Sequence, residues 1–152
     1  MYGGDDAERE RLLREGLGAA GARGGRVGGP AARAGGRFGG RLSARWLPTR
    51  HHEEEVELPN VAPEDLPVLV SDVLAHHGRT VGTGSDGRGG VSVRGVIGAG
   101  TLNLNPAVVD VHGRPGRLTV HAAAKEGLIP QRTAQKAVRR VIESLYSAAP
   151  PS

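Results

Sequence analysis

Cysteine is absent from the 152 residues, and aromatic side chains number four: Tyr2, Phe38, Trp46 and Tyr146. Without cysteine there is no disulfide scaffold, thiolate zinc site, iron–sulfur cluster or cysteine nucleophile. No apolar run approaches the ~20 residues that span a bilayer, and no charged-then-apolar start reads as a signal peptide. A soluble, cytoplasmic protein is the expectation. The length suits one ordinary domain of ~100–150 residues.

Acidic residues are also missing from one long stretch. Between Gly16 and Arg50 there are eleven glycines, seven arginines and no acid. Residues 1–50 hold ten arginines against five acids, whereas the remainder of the chain is slightly acidic. The high pI, about 10.3, therefore belongs to the first third. Glycine at this density loses the most entropy on folding, and few apolar side chains offset it. We read 1–52 as a disordered basic Arg/Gly-rich tail, 53–147 as a small domain and 148–152 as a disordered end. Within the tail, residues 5–15 have the makings of about two helical turns, anchored only by Leu12 and Leu13. A helix this short is marginal alone in water.

Four readings compete for the tail. Arg23-Gly24-Gly25-Arg26 and Gly35 to Arg41 resemble the arginine–glycine segments of RNA-binding proteins. There Arg23, Arg26, Arg37, Arg41 and Arg45 would contact phosphate and stack on bases. Leu42, Trp46 and Leu47 among Arg41, Arg45 and Arg50 suit anionic lipid instead. An organelle transit peptide is the third reading, opposed by the acids at 5, 6, 8, 10 and 15. Compositional bias with no binding role is the fourth, and the plainest.

From residue 53 the pattern becomes periodic. Glu55 to Leu58 alternates as a half-wet strand and stops at Pro59. Pro63, Asp65 and Pro67 crowd a helix start, and Leu66, Leu69, Val70, Val73 and Leu74 share one helical face that ends at Gly78. Thr80–Thr83 and Val91–Ile97 read as strands. Leu102 and Leu104 are out of phase with Val109 and Val111, which predicts a bulge or break at Asn105-Pro106. Arg114-Pro115-Gly116-Arg117 suits a type II turn. Pairing Val111 with Leu118 or Val120 then buries Val109, Val111, Leu118 and Val120 together. A last helix carries Ala134, Ala137, Val138, Val141, Ile142 and Leu145 on one face, with Pro130 at its start.

The expected order is β-α-β-β-β-β-α. This is an α+β two-layer sandwich, with two helices on one face of a mostly antiparallel sheet of four to five strands. Its core should be almost purely aliphatic.

Chemistry is sparse. His51-His52 before three glutamates sits at a linker boundary and reads as a solvated hinge; His76-His77 reads as a favourable pair at a helix C-terminus. Asp110, His112, Thr119 and His121 share the hairpin face turned away from the helices. There Asp110 opposite His121 has the form of an oriented general base, although no nucleophile is evident. Gly84–Gly90 and Gly95–Gly100 lack the lysine and the following helix of a phosphate loop. Arg132, Lys136, Arg139 and Arg140 form a cationic stripe on the last helix that would suit phosphate, acidic lipid or an acidic partner.

No catalytic constellation, metal site or cofactor motif is legible. The expectation is a non-enzymatic module that binds a protein or small ligand through a face bearing Ser92, Arg94, Asp110, His112, Thr119 and His121. Nucleic-acid binding through the tail and the stripe is the alternative. An enzyme built on Asp110 and His121 comes third.

Overall fold

A computed structural model describes residues 3–24, 46–85, 90–99, 105–127 and 131–151. The hairpin around Pro115 is the natural starting point. Gly116 sits at φ +90°, a value costly for any residue with a Cβ, as the third position of a type II turn demands. The strands on either side, β4 (Asn105–Arg114) and β5 (Gly116–Lys125), pair Val111 with Val120 and Val109 with Ala122. Their shared face is buried, as alternation predicts.

Three further strands complete the sheet: β1 (Thr49–Leu58), β2 (Gly78–Ser85) and β3 (Val91–Ala99). Their order is β1-β5-β4-β3-β2, and every neighbouring pair is antiparallel. Strands β1 and β2 thus occupy the two edges, joined by a helix that crosses the sheet. That helix is α2 (Leu66–His77), with Pro67 in its first turn, where a missing N–H costs nothing. It buries Leu66, Val70, Val73 and Leu74. A second helix, α3 (Thr133–Ala148), packs on the same face through Ala134, Ala137, Val138, Val141 and Leu145. The Thr133 N–H donates to the Glu126 carboxylate, which thereby neutralises the positive end of the helix. The core between sheet and helices contains only Leu, Val, Ile and Ala. Tyr146, the one aromatic within this region, stays 55% exposed.

The fold is therefore α+β, but it holds a third helix on the other side of the sheet. Helix α1 (Gly3–Gly24) lies where open polar surface was expected. Leu12 and Leu13 are fully buried there against Val108 and Ala123, with Val81 and Val96 beside them. The sequence alone places these residues in a disordered tail, with about two turns of helix at residues 5–15. Tertiary packing supplies what the segment cannot supply alone, because propensity is a weak prior beside burial. Ion pairs along the helix (Asp6–Arg9, Glu10–Arg14 and Arg11–Glu15) give further local support. Arg23 falls at the end of α1, whereas Arg26, Arg37 and Arg41, together with Arg45, lie outside the described residues.

Other boundaries shift. Strand β1 begins at Thr49, so His51 and His52 belong to the sheet rather than to a hinge. The ladder between β3 and β4 runs without interruption from Ala99 opposite Asn105 to Val91 opposite Gly113. The break expected at Asn105-Pro106 is not there, and Leu102 and Leu104 lie outside the described residues. The register shift sits instead in β2, between Thr80 and Gly82. Pro130 and residues 86–89 and 100–104 are likewise outside the described residues. Among the described residues no helix is long and apolar enough to cross a membrane.

Candidate functional site

The sheet face under α1 gathers most of the charged chemistry. Register places Asp110 opposite His121 on one side and Arg94 on the other, so the three form a row across β5, β4 and β3. Helix α1 closes over this row. Arg9 Nε donates to Asp110 Oδ2 at 2.8 Å, and Arg94 Nε donates to the other carboxylate oxygen. Arg94 also reaches Glu8 at 2.9 Å. One step along, Lys125 Nζ meets Glu10 at 2.5 Å. Asp110 is 8% exposed. Burial alone would raise its pKa, but His121, Arg94 and Arg9 reverse that and hold the carboxyl well below the usual carboxylate range.

His121 completes a chain of polar groups. Its Nδ1 lies 3.7 Å from Asp110 Oδ2, and its Nε2 lies 3.2 Å from His51 Nδ1, with the two rings stacked. Both ring nitrogens of His121 thus face other side chains. A general base needs one nitrogen free for the proton it abstracts. The Asp110–His121 juxtaposition exists, and α1 packs over its Asp110 end through Arg9. Of the contact surface expected from sequence, Arg94, Asp110 and His121 are covered, whereas Ser92 and His112 remain exposed and Thr119 is half-buried.

His51 has its pKa lowered by burial, then by His121 and Arg9, against a smaller opposing effect of Asp6. His77 is lowered too, by burial and by His76 and Arg140. Both imidazoles bind a proton more readily in the unfolded chain, so stability should fall as pH drops below about 6.5. Urea midpoints measured at pH 7.5 and 5.5 should show that loss, and His51→Gln should reduce the difference. An equal or larger difference in His51→Gln would contradict the assignment.

The histidine pair closing α2 does more than face the helix dipole. His77 Nε2 lies 2.7 Å from Ser144 Oγ on α3, tying the two helices together, while His76 stays exposed. The cationic stripe of α3 divides in the same way. Arg132, Lys136 and Arg139 are exposed, but Arg140 turns inward and donates to the Gly98 carbonyl at 2.9 Å. Arg132 itself precedes the helix in a left-handed conformation, at φ 52°.

A cleft of about 430 Å³ opens beside this corner, between the C-terminal half of α1 and the edge formed by β2 and β3. Sequence reading missed it, because it arises where glycines from three separate elements meet. Gly16 lies against Pro106, and Gly78 lies so close to the Val96 carbonyl that a Cβ would clash. Gly98 lines the cleft as well. Apolar lining comes from Ala19, Ala20, Val96 and Pro106; polar lining comes from Glu15, His77 and Arg79. Among the described residues no group of three or more histidines and carboxylates is arranged to hold a metal. Compared with known protein families, curated proteins and solved structures, the chain matches none.

Proposed function

We propose that this protein is a non-enzymatic small-ligand-binding module, and that the cleft beneath α1 is its site. The cleft carries the reading. Its volume of about 430 Å³ is of the size that small-molecule sites occupy, and its lining mixes small apolar side chains with the polar groups of Glu15, His77 and Arg79. Between the sheet and α2/α3 the described residues form a continuous cluster of buried aliphatic side chains. The cover that α1 places over Asp110 weighs against the enzymatic reading and against a protein contact centred on Asp110.

A thermal-shift screen of the full chain against a panel of small metabolites tests the proposal. A ligand at a hundred times its Kd stabilises by about 2.7 kcal/mol. Stabilising compounds should lose their effect in Ala19→Trp, which fills the cleft, and keep it in His121→Ala. Hits that survive Ala19→Trp would refute the site, and a panel without hits would refute the function.

A second reading rests on Arg132, Lys136 and Arg139, which form no ion pair among the described residues. They suit a nucleic-acid backbone. Such binding would weaken steeply with salt and fail when all three become alanine.

A further inference from the structure

The chemistry of the cleft wall narrows the ligand further, on the premise that the cleft is a binding site. We infer that it takes a small amphipathic carboxylate, with Arg79 holding the carboxyl group and the apolar wall holding a short hydrocarbon body.

Three observations combine. The first is a cation with donors to spare. Arg79 stands at the start of β2, more than half exposed, and its guanidinium lies 3.8 Å from Glu15 Oε2. That separation is an ion pair without a hydrogen bond, so the planar fork has room for a better-placed carboxylate.

The second is that the occupant of the fork is exchangeable. The other oxygen of Glu15 lies 3.3 Å from Arg11 Nη1, one helical turn back. Glu15 therefore keeps a cationic partner when a ligand displaces it from Arg79. Its carboxylate marks where the carboxyl group of a ligand would sit.

The third is the apolar lining beside Arg79, whose cross-strand partner is Val96. Ala19, Ala20, Val96 and Pro106 present hydrocarbon to the same space, whereas the Ile97 side chain is buried in the core on the other face of the sheet. Backbone polarity there is already partly consumed, since the Gly98 carbonyl accepts from Arg140. A fully polar anion such as inorganic phosphate would satisfy Arg79 but leave that wall unused. Each methylene buried against it adds about 0.8 kcal/mol, close to fourfold in affinity. Affinity should therefore rise with chain length until the cleft is full.

Amide resonances of the 15N-labelled full chain, followed during titration, give the test. The probes are hexanoate, propionate, hexan-1-ol, hexylamine and inorganic phosphate. Hexanoate should shift Gly16, Arg79 and Gly98 in a saturable way. Propionate and phosphate should bind at least tenfold more weakly, and the alcohol and amine should be weaker again. Arg79→Gln should weaken hexanoate about tenfold, and Glu15→Gln should strengthen it severalfold, because the competing carboxylate is gone. If the alcohol or amine binds as well as hexanoate, or Arg79→Gln changes nothing, the carboxylate assignment falls while the cleft remains a binding site. Phosphate matching hexanoate would overturn the apolar part. Should none of these probes, nor any compound of the metabolite screen, move the cleft resonances, both readings fail.

Discussion

Asp110→Asn is expected to lower the unfolding free energy by about 3 kcal/mol, within the range for breaking a buried ion pair from one side. The carboxylate accepts from Arg9 and from Arg94, and its side chain is 12% exposed. Asparagine keeps the shape but presents one amide nitrogen, a donor, to two guanidinium donors. Both cations then stay half-buried around a group that no longer neutralises them. Two further variants separate charge from packing. Replacing Arg9, Arg94 and Asp110 together by apolar residues of similar size should cost much less than Asp110→Asn, since the desolvation of three ions disappears with them. Arg9→Met alone should cost less than Asp110→Asn, because Arg94 keeps Glu8 and Asp110 keeps Arg94. Urea denaturation at pH 7 measures all three. An Asp110→Asn loss below about 1 kcal/mol would mean that α1 is held by its leucines, not by the row of charges.

Gly78→Ala should be as damaging from a single methyl group. Helix α2 becomes strand β2 at this residue with no connecting loop. A Cβ built there would stand 2.1 Å from the Val96 carbonyl oxygen and 2.8 Å from Ile97 Cα. The obstruction is main chain from the neighbouring strand, so no side-chain rotamer relieves it. Either the β2–β3 ladder shifts or the helix end lifts, and about 3 kcal/mol or more is the expected cost. Gly82, four residues on in the same strand, is the control. Nothing lies within 4 Å of its would-be Cβ, so Gly82→Ala should be neutral or stabilise by a few tenths of a kcal/mol. Equal midpoints for the two variants in thermal melts would show that the α2–β2 junction tolerates strain after all.

Much of the domain was legible in advance, for a reason visible in particular residues. Val109, Val111, Leu118 and Val120 obey a period of two across a turn marked by Pro115 and Gly116, and Ala134 to Leu145 obey a helical period. Such signals are local. Helix α1 was not legible, because its support comes from Asp110, 101 residues beyond Arg9, and from Lys125, 115 residues beyond Glu10. No window of sequence contains both partners. Glycines at 16, 18, 21 and 24 also argue against a helix by propensity, and they are overruled by packing. The cleft was hidden for a related reason. Gly16, Gly78 and Gly98 look like scattered turn residues until three elements bring them together. Asp110 and His121 were placed correctly opposite each other, but nothing in the alternation of β4 and β5 announced the helix that packs over Asp110.

The long separation between α1 and its seat has a consequence for biosynthesis. Gly24 leaves the ribosome about 100 residues before Lys125 does, which at 5–20 residues per second is roughly 5–20 s. Through that interval Leu12 and Leu13 have no surface to cover them. Few helices could wait so long without sticking to something else. This one exposes a pair of leucines among residues such as Asp6, Arg9, Arg11, Arg14 and Glu15, whose charges pair along its own length. The charge pairs that give α1 its local support also make it a safe segment to synthesise first.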